Sequence, residues 1–137
     1  MFGGNDIKTI QLTIDSDPGG DGELFYLMKA PAALTVLSAY MVSEQTQNAG
    51  TAVALTLQNW GTAGTAVASG GTIGSAGGTA SASRLTARTP AAVTLTAAQQ
   101  YVAKDTWLAV MYNEQGAGWI ANDRFVFQVN YVLGKGA

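Results

Sequence analysis

Phe125–Leu133 reads FVFQVNYVL, with Phe125, Phe127, Val129, Tyr131 and Leu133 at every second position and Gln128 and Asn130 between them. Successive side chains of a strand point to opposite faces, so this spacing predicts a strand with one face in a core and the other in water. The same period recurs upstream. Ile10, Leu12 and Ile14 alternate with Gln11 and Thr13, and Val53, Leu55 and Leu57 alternate within residues 51–58. In residues 34–42 the pattern predicts Leu34, Val36, Tyr40 and Val42 on one face. Two further runs, ELFYLM over 23–28 and WLAVMY over 107–112, are apolar at nearly every position. Such runs read as strands buried on both faces or, for the first, at an interface; Trp107 is expected in the core.

Turn formers separate these runs at short intervals: Asp17-Pro18-Gly19-Gly20, Asn48-Ala49-Gly50, residues 113–118, and Asn122-Asp123. Many short strands with closely spaced turns predict an all-β antiparallel sandwich or barrel, and the sandwich is the expectation. The gaps are too short for the crossover helices of a parallel sheet. The helical candidate, residues 96–101, amounts to a connecting turn that Thr96 could cap. No fixed repeat appears, which excludes propellers and solenoids.

The chain has 137 residues and fits one domain, 1–137. A domain of this size buries roughly two-thirds of the surface of its unfolded chain and needs no covalent staple. None is available, since the chain has no cysteine; it also has no histidine. Those absences exclude Cys–His and Ser–His nucleophiles and the common zinc sites. Charged residues make up 12% and the net charge is −2, which argues against nucleic acid as a partner, because that contact needs clustered Lys and Arg. No run approaches the roughly 20 apolar residues that span a bilayer, and the first residues lack the pattern of a secretory signal. The expectation is a soluble protein, made in a reducing cytosol and without a membrane partner.

Residues 61–83 stand apart. Of these 23 residues all but Val67 and Ile73 are Gly, Ala, Ser or Thr, and no charge occurs between positions 45 and 83. The composition suits a long loop, either packed on a partner or mobile, or else two thin strands. Residues 1–6 read as an N-terminal arm and 134–137 as a tail.

Carboxylates cluster once, at Asp15, Asp17, Asp21 and Glu23. Hard oxygen ligands of this kind suit calcium, but the spacing is not that of an EF-hand, and Asp and Gly also serve turn geometry. The favoured reading is a solvated hairpin turn, with no metal. The other acids are isolated in sequence, so no carboxylate pair for glycoside hydrolysis is evident. The glycine-rich stretch lacks GxxxxGK[ST], and no lysine lies between Lys29 and Lys104. Trp60 at a strand end and Trp119 in a glycine-flanked loop suit either stacking on a partner or plugging a sandwich end. Arg84 and Arg88, read as i and i+4 on a strand, share a face that could reach a partner carboxylate or phosphate.

The stretch from Thr94 to Val110, with Tyr101-Val102-Ala103-Lys104-Asp105-Thr106-Trp107 at its centre, is similar to a hairpin of virion β-sandwich and jelly-roll domains. In those domains a Gly-Asp or Lys-Asp turn precedes an apolar strand; here Ala103-Lys104-Asp105 stands in place of the more usual glycine-containing form. Together with the Ala/Gly/Thr-rich, cysteine-free composition, the chain resembles the decoration or cement proteins of tailed-bacteriophage heads. That resemblance implies a jelly-roll-like sandwich that trimerises on the outer capsid surface, with the major capsid protein and itself as partners. It implies no cofactor and no catalysis. The candidate contacts are Met1 and Phe2 in the arm, residues 61–83, Trp60, Trp119, Arg84 and Arg88. An alternative is a tail or fibre-tip glycan-binding module using Trp119 and Trp60 beside Asp123 or Asn122. A lesser one is a small polysaccharide-degrading enzyme drawing on Asp105, Glu114 and Asp123.

Overall fold

The computed structural model describes residues 6–19, 22–48, 50–63, 71–78, 84–114 and 119–134. Its strands are β1 (Lys8–Ile14), β2 (Glu23–Lys29), β3 (Leu34–Ser43), β4 (Val53–Asn59), β5 (Thr72–Gly77), β6 (Ala91–Ala92), β7 (Thr94–Leu95), β8 (Tyr101–Val102), β9 (Trp107–Glu114) and β10 (Phe125–Leu133). A 3-10 turn, Ala97–Gln99, precedes β8. Thr96 opens it, but its side chain makes no capping bond; the Thr96 carbonyl accepts from Gln99 N instead. No described helix is long and apolar enough to cross a membrane.

The pairing is nested: β1 with β10, β2 with β9, β3 with β6 and β8, and β4 with β5, all antiparallel. This is one long ribbon with β4 and β5 at its closed end. Rolling the ribbon lets β3 also pair with β10, and β4 with β9. Two sheets result. Sheet A runs β1-β10-β3-β6, with β8 also on β3, and sheet B runs β2-β9-β4-β5-β7. That connectivity is a jelly roll, the form of sandwich that the resemblance implies.

The core lies between the sheets. Phe125, Phe127 and Val129 of β10 and Leu34, Val36, Ala39 and Met41 of β3 face Val53, Leu55 and Leu57 of β4 and Leu108, Val110 and Tyr112 of β9. Truncating Leu55 or Leu57 to alanine removes contacts on all sides and costs about 2–5 kcal/mol.

The face assignment in β3 differs from the simple alternation. Tyr131 pairs with Val36 and Asn130 with Ser38, so Leu37 is an extra residue in the ladder. This bulge reverses the parity beyond it. Leu34 and Val36 point inward as expected, whereas Tyr40 and Val42 point outward, and Ala39, Met41 and Ser43 take the inner positions. β2 also departs from the expectation of an apolar run buried on both faces. It is an edge strand, half-buried, and it carries its own bulge at Leu27.

Within residues 61–83, Thr72–Gly77 forms β5, so the stretch is not loop throughout; positions 64–70 and 79–83 lie outside the described residues. Its small side chains have a local reason. A Cβ on Gly74 would sit 2.5 Å from the carbonyl oxygen of Thr94, where β7 approaches β5.

Candidate interaction surfaces

The registers assign side chains to the outer face of sheet B row by row. Leu24, Met111, Thr56 and Ser75 form one row, and Tyr26, Ala109, Gln58 and Thr72 the next. Lys29 pairs with Trp107 at the following position. Trp60 continues the alternation of β4, its main chain bonded to Trp107 and its Nε1–H donating to Gln58 Oε1 at 3.1 Å. The face therefore grades from apolar and aromatic on β2 and β9 to hydroxyl on β4 and β5. Tyr26 and Trp107 meet edge to face with centroids 5.4 Å apart, and Tyr26 remains 49% exposed. Trp107 is thus half-buried on the outer surface, not in the core: the inward positions of β9 belong to Leu108, Val110 and Tyr112.

The outer face of sheet A has a different chemistry. Thr9 Oγ1 donates to Asn130 Oδ1 at 2.8 Å, and Asn130 Nδ2 donates to Ser38 Oγ at 3.0 Å. Gln11 Nε2 donates to Gln128 Oε1 at 2.6 Å, and Gln128 Nε2 donates to the same Asn130 oxygen at 3.2 Å. These five neutral side chains tie three strands together. Tyr40 stands beside them, 41% exposed.

Charges gather at the end of this face. Glu44 accepts from Arg88 Nη2 at 2.7 Å and Nε at 3.0 Å, while Arg124 Nη2 lies 3.8 Å from its other oxygen. Arg84 and Arg88 do not share a strand face. Residues 84–90 form no strand, Leu85 is the buried residue between them, and Arg88 occupies a left-handed turn position with φ 58°. Arg84 instead lines a cleft of about 480 Å³ with Ser75, Gly77, Ala91 and Thr94, where β5 of one sheet lies near β6 of the other.

In the acidic loop, Asp15 and Asp17 are exposed, and Asp17 Oδ1 accepts from Gly19 N at 2.8 Å. This is an Asx turn, the geometry such residues favour. Glu23 is exposed at the start of β2, and Asp21 lies outside the described residues. Among the described residues no group of three or more acids is arranged to hold a metal. Met1 and Phe2 also lie outside the described residues.

The structure separates Trp60 and Trp119 instead of bringing them to one face. Trp119 packs on Phe125 at 5.6 Å and Tyr112 at 6.4 Å, closing one end of the core, while Trp60 lies at the other end of β9. Asp123 is buried, with 3% exposure. Asp105 and Glu114 lie at opposite ends of β9, and Glu114 Oε2 accepts from Tyr112 Oη at 2.7 Å. A stacking platform beside Asp123 and a carboxylate pair between Asp105 and Glu114 are therefore not assembled. The buried network that does form, Asp123 with Ser43 and Gln47, has no local sequence signal, because its members are 76 and 80 positions from Asp123.

No protein-family model matches the chain, and no curated protein matches it. Among solved structures, a chain of the cyanophage Pam1 capsid asymmetric unit is similar with TM-score 0.59 and 16% identity, over 98% of this chain and 89% of that one. Those shares make the matched chain about 150 residues long, close to this one in size. A chain of infectious bursal disease virus Gt strain gives TM-score 0.38 at 16% identity, over 96% of this chain and 34% of that one. A chain of the infectious bursal disease virus VP2 subviral particle gives 0.34 at 14%, over 93% and 37%. The cyanophage likeness shows a shared fold across nearly the whole of both chains.

Proposed function

We propose that this chain is a structural virion protein that decorates the outer surface of a phage head, as a homotrimer, and stabilises the shell without catalysis or cofactor. The observation that carries the reading is the near full-length likeness to a chain of comparable size in a phage capsid. The two unlike outer faces support it. Leu24, Tyr26, Trp107, Trp60 and Met111 give sheet B an apolar, aromatic surface suited to a pocketed partner, here the major capsid protein. Apolar contact contributes roughly 25 cal/mol per Å² and is not screened as ion pairs are, which fits a chain with so few charges. Trimerisation on the shell multiplies a modest contact by avidity, and binding to the assembled form stabilises it by mass action.

The test is to titrate purified protein onto heads of its source virus and count bound copies, with Tyr26→Asp and Trp107→Ala in parallel. The reading expects saturation at a number comparable to the major capsid protein, a higher temperature of head disruption, and loss of binding in both folded variants. A handful of bound copies, or none, would overturn it.

A further inference from the structure

The ends of the two sheets are not alike. β6 and β8 at one end of sheet A and β7 at one end of sheet B are two residues each. β2, at the other end of sheet B, is interrupted by the Leu27 bulge and bounded by Glu23 and Lys29. Short, bulged and charged edges resist pairing with foreign strands. β1 is neither short nor bulged, and its single charge, Lys8, sits at its first position. It runs seven residues without a register shift, from Lys8 opposite Tyr131 to Ile14 opposite Phe125, with no proline and one charge.

The direction of its main-chain groups follows from the ladder. Glu44 N donates to Arg124 O at 2.9 Å, so Arg124, Val126, Gln128 and Asn130 turn their main-chain groups toward β3, and the residues between them turn toward β1. Those intervening residues pair with Lys8, Ile10, Leu12 and Ile14. The N–H and C=O groups of Thr9, Gln11 and Thr13 therefore point away from the sheet, and no described residue pairs with them.

The sequence along this edge, Thr9-Ile10-Gln11-Leu12-Thr13, reads alike in both directions by chemical type. We infer that β1 is a self-association edge, pairing antiparallel with β1 of a second copy about a two-fold axis at Gln11. That register sets Gln11 opposite Gln11, Thr9 opposite Thr13 and Ile10 opposite Leu12. All three outward pairs of N–H and C=O groups on each copy find partners. Ile10 and Leu12, only half-buried in the single chain, gain cover on the core side. On the outer side the bond from Gln11 to Gln128 extends into a row of four amides across the axis. Lys8 falls opposite Ile14, so no like charges face each other. An isologous contact of this kind closes on itself and yields a dimer, not a fibre. On a shell it would link neighbouring decorations, but it does not rest on the capsid reading and is measured on the free chain.

One position identifies the two-fold axis, because Gln11 alone faces its own copy. Like charges directly opposite on paired strands are destabilising. Sedimentation velocity on the full chain at ~100 µM, high enough for the weak contacts that small interfaces give, reads the outcome. The wild type is expected to associate, Gln11→Lys and Gln11→Glu each to lose that association, and their equimolar mixture to recover it. Circular dichroism checks that both variants stay folded, as expected for an exposed side chain. A monomeric wild type, association unchanged in the two variants, or a mixture that fails to recover it would overturn the inference. Capsid occupancy is a separate readout, so this failure and that of the decoration reading are distinguishable.

Discussion

Asp123 Oδ2 accepts from Gln47 Nε2 at 2.8 Å in the interior of the fold, with Asp123 3% and Gln47 4% exposed. Asp123 Oδ1 accepts from Ser43 Oγ at 3.1 Å, Gln45 N at 3.1 Å and Arg124 N at 2.8 Å. One carboxylate thus fastens the turn after β3 to the start of β10. Removing it leaves the buried Gln47 amide and the part-buried N–H groups of Gln45 and Arg124 without this acceptor, and each such group costs about 1–3 kcal/mol, or less with exposure. Asp123→Ala is therefore expected to lower stability by about 3–4 kcal/mol, and Ser43→Ala, which leaves three donors in place, by about 1 kcal/mol. Urea unfolding checks the ratio; equal losses would mean that Asp123 acts through Ser43 alone.

Tyr112 sets an alkaline limit. Its side chain is fully buried, its hydroxyl donates to Glu114, and burial followed by that carboxylate pushes the phenol well above its ordinary value near 10. The unfolded chain releases this proton near pH 10 while the folded chain keeps it, so the folded state binds more protons there. The stabilisation is complete below pH 10 and declines as pH rises further. Tyr112→Phe is expected to flatten that decline in thermal melts between about pH 9 and 11.5 relative to wild type. An unchanged slope would assign alkaline sensitivity to other groups.

Much of this architecture is legible in the chain, and the misplacements share a cause. Strict alternation at Phe125, Phe127 and Val129 and at Val53, Leu55 and Leu57 gave the inner faces of β10 and β4 directly. Tyr40 and Val42 depart from the alternation because a bulge at Leu37 adds one residue, and a period-2 pattern carries no mark of it. Trp107 lies outside the core, and an apolar run does not say which face is inner; the edge-to-face contact with Tyr26 needs the pairing of β2 with β9. The two unlike outer faces follow from register, which turns and bulges fix.

Glycine is required in β5 for two separable reasons. Gly77 has φ 87° and a Cβ there would overlap the Val53 carbonyl oxygen; Gly74 has ordinary φ but no room beside Thr94 and Val93. Gly77→Ala combines left-handed strain with displacement of β4, an expected loss of about 3 kcal/mol or more. Gly74→Ala is expected to cost about 1–3 kcal/mol by pushing β7 off the sheet edge. Gly19→Ala, with left-handed φ but open space, isolates the conformational part at about 1 kcal/mol. Thermal denaturation of the three variants should rank them in that order; Gly19→Ala as damaging as Gly77→Ala would remove the steric argument.

Asp105 occupies a left-handed position, φ 66°, in the turn that opens β9, with its N–H donating to Ala30 O at 2.8 Å and Thr106 N donating to Ala103 O. An L-residue held there costs about 1–2 kcal/mol, less for Asp than for most, while glycine adds unfolded-state entropy that offsets part of the relief. Asp105→Gly is thus expected to raise stability by about 0.5 kcal/mol and Asp105→Val to lower it by about 1–2 kcal/mol. Arg88 provides the contrast, since its left-handed strain, φ 58°, comes with the exposed ion pair to Glu44. Such pairs contribute about 0–1 kcal/mol, so Arg88→Gly is expected to leave stability nearly unchanged. A lower melting temperature for Asp105→Gly than for wild type would show that the aspartate side chain, not the backbone angle, governs this turn.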